Sequence, residues 1–122
     1  MHELSIAQAL VEQLDEIVRR EGAVRVAAVT VTVGSLSGVE PDALDMAFPV
    51  AAESSVAAGA ALALELVPAR ALCHDCRLEF EAGFPFFVCE RCGSDNVEIG
   101  AGRELLISSV ELAYETREQQ NV

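Results

Sequence analysis

The chain has 122 residues, 20 of them acidic against eight Arg and no Lys, for a formal charge of -12. That length leaves room for one domain, or one domain with a small insert, and excludes a large multidomain enzyme. An apolar share of 52% excludes a disordered tail, and the negative charge argues against nucleic acid or an anionic membrane surface as the main partner. The longest uncharged apolar stretch, Val56 to Leu64, falls far short of the ~18 residues that a membrane span needs. The N-terminus lacks the basic and apolar regions of a signal peptide. These features predict a soluble cytoplasmic protein.

Residues 5–21 carry the clearest helical pattern, with Ile6, Leu10, Leu14, Ile17 and Val18 on one stripe. Ser5 and Gln8 have the spacing of a capping box. Asp15–Arg19 and Glu16–Arg20 form i,i+4 pairs with the acid N-terminal, and Gly22 is the natural stop. Residues 25–33 read as a strand in which Val29, Val31 and Val33 alternate with Thr30 and Thr32. Gly34 to Gly38 is a turn. Pro41 suits the first turn of a second helix, with Leu44, Ala47, Phe48 and Ala51 on one face. Pro49 is expected to kink that helix or end it early.

Residues 61–68 form a second strand with Leu62, Leu64 and Leu66 on one face. Residues 103–114 form a third, with Leu106, Val110 and Leu112 opposite Leu105 and Ile107. The polar end, Glu115 to Val122, is expected to fray. The predicted fold is α+β: two helices on a small three-stranded sheet, built from residues 1–68 plus 103–122, with a zinc-ribbon-like module inserted at 69–102. That module holds all four Cys and four Phe: Phe80, Phe84, Phe86 and Phe87. A segment so short needs a metal and a few aromatics to compensate for its small core.

The cysteines Cys73, Cys76, Cys89 and Cys92 follow the pattern C-x2-C-x12-C-x2-C. With no signal peptide, metal binding is favoured over two disulfides, with zinc ahead of an iron–sulfur centre. Two residues between Cys let a tight turn aim both sulfurs at one ion. Four thiolates then fill a tetrahedral zinc site and leave no position for catalysis. Gly93 gives the second knuckle its exit. His74 reads as a solvent-facing spacer, since the thiolates already complete the set, and Asp75 and Glu90 read as solvated spacers.

Met1, His2 and Glu3 bring a terminal amine, backbone amides, an imidazole and a carboxylate within three residues. Nitrogen donors in one plane suit Ni(II) or Cu(II), although spacing alone would leave His2 an exposed terminal residue. No Ser/His/Asp or Cys/His constellation can be assembled away from these sites, and no P-loop occurs. The segment Gly34-Ser35-Leu36-Ser37-Gly38 is too short and lacks the Lys. The sequence therefore predicts a protein without catalysis, and a zinc-ribbon adaptor with no nickel role is the alternative.

The opening Met1-His2-Glu3-Leu4-Ser5, the order of elements and the four-Cys spacing together resemble the HypA/HybF hydrogenase maturation proteins, from Met1 to about Glu115. The resemblance implies a nickel metallochaperone. It would deliver Ni(II) for [NiFe] hydrogenase, and as in some members for urease, with a HypB-type GTPase and the hydrogenase large-subunit precursor as partners. It implies nickel ligands at Met1, His2 and Glu3, an acidic neighbour at Glu40, and zinc on Cys73, Cys76, Cys89 and Cys92. Read without the resemblance, Glu40 is a helix-start carboxylate favoured by the dipole. One departure is visible: Cys89-Glu90-Arg91-Cys92 has Glu where many members have Pro, which bears on knuckle rigidity and leaves every ligand in place.

Overall fold

The computed structural model describes residues 2–82 and 88–115. The expected terminal amine donor of Met1, the packing of Phe84, Phe86 and Phe87, and the fraying beyond Glu115 lie outside the described residues. Element order is α1 Glu3–Glu21, β1 Arg25–Gly34, α2 Pro41–Ala52, β2 Ala61–Val67, β3 Arg70–Cys73, β4 Glu79–Glu81, β5 Val97–Ala101 and β6 Leu105–Ala113. This is the expected α+β class, with a second small sheet that the sequence pattern did not reveal. β1 lies between β2 and β6 in one sheet, and β3 lies between β4 and β5 in the other.

The chain divides into two compact units. One holds Met1–Val31, Glu40–Leu64 and Ile107–Val122, and the other holds Thr32–Val39 and Glu65–Leu106. In the first, α1 packs on α2. Ile6, Ala7, Leu10, Leu14 and Val18 are the buried stripe of α1. Each large side chain on it contributes about 1.5–3 kcal/mol on leaving water. Ile17, expected on that stripe, is only half-buried.

Helix α1 starts two residues earlier than its apolar pattern suggests. His2 takes the N-cap position with no side-chain cap bond, so the Ser5–Gln8 capping box does not form. Glu3 instead supplies the acidic charge that a helix N-terminus favours. Gly22 ends α1 as expected, with φ 71° and its N–H donating to the last-turn carbonyls. Asp15 and Arg19 pair at 3.1 Å, but Arg20 pairs with neighbouring Glu21 at 3.6 Å rather than with Glu16. Both pairs are exposed and add little.

Helix α2 runs through Pro49 to Ala52, so of the expected kink or early end, the early end does not occur. Its buried residues, Leu44, Phe48 and Ala52, are spaced four apart across the proline. Pro49 itself is exposed, where water can satisfy the carbonyl that loses its donor. Packing of the inner stripe outweighs the cost of one missing bond.

In the second unit β3 pairs antiparallel with β4, Ala71 opposite Phe80, and with β5, where Cys73 faces Val97. Ala69, Ala71, Cys73, Phe80, Ala82 and Cys89 make its core, and Leu36 from the turn after β1 packs against it. Gly34 and Gly102 are needed for close approach. A Cβ on Gly34 would run into the Gly102 carbonyl and stand 2.8 Å from the Arg103 nitrogen, and one on Gly102 would stand 2.7 Å from the Ala69 Cα. In β2, Leu62 and Leu64 are half-buried as expected, but Leu66 is exposed and Val67 turns inward instead.

Candidate metal centres

The β3 strand ends at Cys73, and the chain turns through Cys76 before β4. A second turn, Cys89 to Cys92, precedes β5. The two turns repeat one hydrogen-bond plan. The N–H of Cys73 donates to the Leu78 carbonyl at 2.9 Å, and that of Cys89 donates to the Ser94 carbonyl at 2.8 Å. The N–H of Arg77 returns to the Cys73 carbonyl, and that of Gly93 to the Cys89 carbonyl, each at 2.9 Å. Both returning residues are left-handed, Arg77 with φ 66° and Gly93 with φ 75°. Only the second knuckle uses glycine where the backbone asks for it.

The four sulfurs lie within 4.8 Å of one another. Cys73 and Cys92 are 3.6 Å apart at Sγ, and Cys76 and Cys89 are 3.5 Å apart. An S–S bond needs ~2.05 Å, so these are free thiols. A tetrahedron of sulfurs at ~2.3 Å from a central ion has edges of ~3.8 Å, which is close to the spacing found. Backbone N–H groups of Cys76, Arg91 and Cys92 point at the sulfurs of Cys73 and Cys89 at 3.4 to 3.5 Å, as they would to hold thiolate charge. The Leu78 N–H, helped by the Arg91 guanidinium, lowers the Cys76 thiol to about 6. The Cys92 N–H lowers Cys89. At Cys92 the Ser94 N–H pulls the same way, but burial and the neighbouring thiols of Cys73, Cys89 and Cys76 win and push it up to about 12. Four thiolates packed this closely need a cation among them, and this all-sulfur set suits zinc or an iron–sulfur centre.

The spacers are not idle. Asp75 accepts a hydrogen bond from Ser94 Oγ, and a second from Asn96 Nδ2 at 3.2 Å. It thereby ties the first knuckle to the segment leaving the second, and these bonds, Ser94 first, lower its carboxyl below the usual range. Asp75 is exposed, as expected of a solvated spacer, and these bonds give it a structural role besides. The His74 imidazole has its Nε2 3.3 Å from Glu98 Oε1, and the His74 backbone N–H donates to the Asn96 carbonyl at 2.9 Å. It is therefore partnered away from the sulfurs. Glu90 is exposed.

At the other candidate centre His2 is exposed and its carbonyl accepts the Ile6 N–H at 3.2 Å, which joins it to the first turn of α1. Glu3 follows at the first helical position. The Glu40 N–H, at the start of α2, donates to Glu3 Oε2 at 3.4 Å. Glu3's own N–H and then that of Glu40 hold its carboxyl below the ordinary range. Glu3 and Glu40 are thus brought together through the Glu40 backbone, while the Glu40 side chain is exposed.

The chain matches the family described as "Hydrogenase/urease nickel incorporation, metallochaperone, hypA" over residues 1–112. It is 40% identical over 112 residues to a protein named hydrogenase maturation factor HypA from Nitrosospira multiformis, covering 92% of this chain and 97% of that one. It is 39% identical to the protein of the same name from Aquifex aeolicus, covering 92% and 97%. Among solved structures it is similar to the solution structure of the Ni metallochaperone HypA from Helicobacter pylori. There the TM-score is 0.67 at 30% identity, covering 94% of this chain and all of the other.

Proposed function

This chain belongs to the HypA family of hydrogenase/urease nickel-incorporation metallochaperones, and from that premise we propose that it carries Ni(II) at its N-terminus. It delivers the ion for assembly of the [NiFe] hydrogenase active site, and urease is a second recipient of the same cargo. The ligands are the Met1 amine, the His2 imidazole and Glu3, with Glu40 close by. The observation that carries the reading is the placement of His2. It is exposed at the N-cap of α1, beside a Glu3 carboxylate held by the Glu40 N–H.

That placement suits a cargo that must leave. The N-terminus of a helix carries partial positive charge, which opposes a cation. The Glu3 carboxylate and a deprotonated amide would offset it, and imidazole is a donor that suits nickel. A site at the surface can be opened by a partner without unfolding the domain. The second metal is resident. Zinc sits on Cys73, Cys76, Cys89 and Cys92, and its binding is part of the folding of their unit. The functional division is a nickel-handling domain, 1–68 plus 103–122, and a zinc module, 69–102. The chain acts in the cytoplasm as a carrier without catalysis, with a HypB-type GTPase and the hydrogenase large-subunit precursor as partners.

A chelator challenge of protein loaded with both metals tests the division. Nickel leaves first while zinc is retained. Loss of both ions at comparable rates would contradict it.

A further inference from the structure

The outward stripe of α2 differs from the polar face that a surface helix ordinarily presents. Met46 is 77% and Val50 62% exposed, with exposed Pro49 beside them, on the side away from buried Leu44, Phe48 and Ala52. The stripe adjoins a cleft of about 380 Å³ lined by Phe48, Pro49, Ala52, Ala57, Ala58 and Ala60, among others. Ala52, Ala57, Ala58, Gly59 and Ala60 are small, which leaves space for a large apolar side chain from elsewhere. The rim is acidic. Asp42, Asp45 and Glu53 are exposed and lie on the same stripe at helical spacing. No Lys or Arg occurs between Arg25 and Arg70 to neutralise them. Pro49 has no N–H to give the Asp45 carbonyl, so a backbone acceptor adds to the acids.

We propose that this face docks a segment of a different protein that brings Leu- or Phe-sized side chains flanked by Lys or Arg. One apolar side chain enters the cleft beside Pro49, a second lies over exposed Met46 and Val50, and the basic neighbours meet Asp42, Asp45 and Glu53. A second copy of the chain is the wrong occupant. It carries the same charge of -12 and would set acids against acids. The proposal is independent of where nickel binds.

The test uses zinc-loaded full-length protein and a Lys-rich amphipathic helical peptide bearing a Leu/Phe stripe, followed by amide chemical shifts. Shifts are expected to concentrate in residues 42–60. Val50→Glu and Asp45→Lys, both at exposed positions, should each weaken binding about tenfold or more with zinc content and melting unchanged. Replacing the peptide's Leu and Phe by Ala should weaken it as much. Shifts lying elsewhere, or equal binding of the Ala peptide, would overturn the proposal. So would a dimer in sedimentation that Val50→Glu dissociates, because the occupant would then be a second copy.

Discussion

At the four-Cys cluster Cys73 and Cys89 are buried, and backbone N–H groups point at both of their sulfurs. At the N-terminus His2 is exposed, and its neighbour Glu3 accepts a 3.4 Å bond from the Glu40 N–H. One set of donors is therefore part of a core, while the other stands on a surface. Removing a ligand from the first should cost folding as well as metal. Removing one from the second should cost metal alone.

The largest effect is expected from Cys89→Ser. With one of its four thiolates gone, zinc should be lost on dialysis and the β3–β4–β5 sheet should unfold, while the helical signal of α1 and α2 persists. Zinc analysis beside far-ultraviolet circular dichroism reads both, and a variant that keeps its zinc would break the comparison. Next comes Gly34→Ala, whose methyl group meets the Gly102 carbonyl and the Arg103 nitrogen. It should destabilise by about 2–3 kcal/mol, seen as a lower denaturant midpoint. Gly93→Ala separates conformation from crowding. Nothing lies within 4 Å of the new Cβ, so only the cost of a left-handed alanine, about 1–2 kcal/mol, should appear.

The smallest effect belongs to the N-terminal side. Glu40 has φ -83°, which a proline accepts, and Glu40→Pro removes the N–H that Glu3 uses. The Glu3 carboxyl should then titrate at a higher pH, nearer its ordinary value, whereas Glu40→Ala keeps the donor and should leave it where it is. Carboxyl chemical shifts followed through acid decide this, and equal titration in the two variants would assign the whole depression to Glu3's own N–H.

Legibility in the sequence followed the same division. The two C-x2-C knuckles were readable because their spacing sets the geometry of a turn. The buried stripe of α1 was readable because it repeats over several turns. The second sheet was not, since β3, β4 and β5 are three to five residues long and give too few alternations to count. The continuation of α2 past Pro49 is not legible locally, because the tertiary stripe Leu44–Phe48–Ala52 carries the helix on where the local rule allows an end. The start of α1 was misplaced because Ser5 offered a capping pattern that Glu3 and His2 pre-empt. The bonds of Asp75 carry no local signal, because Ser94 and Asn96 lie 19 and 21 residues further along the chain and only folding sets them beside it. At the N-terminus, Met1-His2-Glu3 carried meaning through resemblance to a family, with little that spacing alone could add.

The central claim, that nickel is held by the terminal residues apart from the sulfur cluster, is tested most directly by nickel titration of zinc-loaded protein with an untagged N-terminus beside His2→Ala. The account predicts one nickel per native chain, none on the variant, the same zinc content in both, and a stability change within about 0.5 kcal/mol, as for an exposed position. Equal nickel binding by both proteins, or by neither, would contradict it and leave a zinc-ribbon adaptor as the better description.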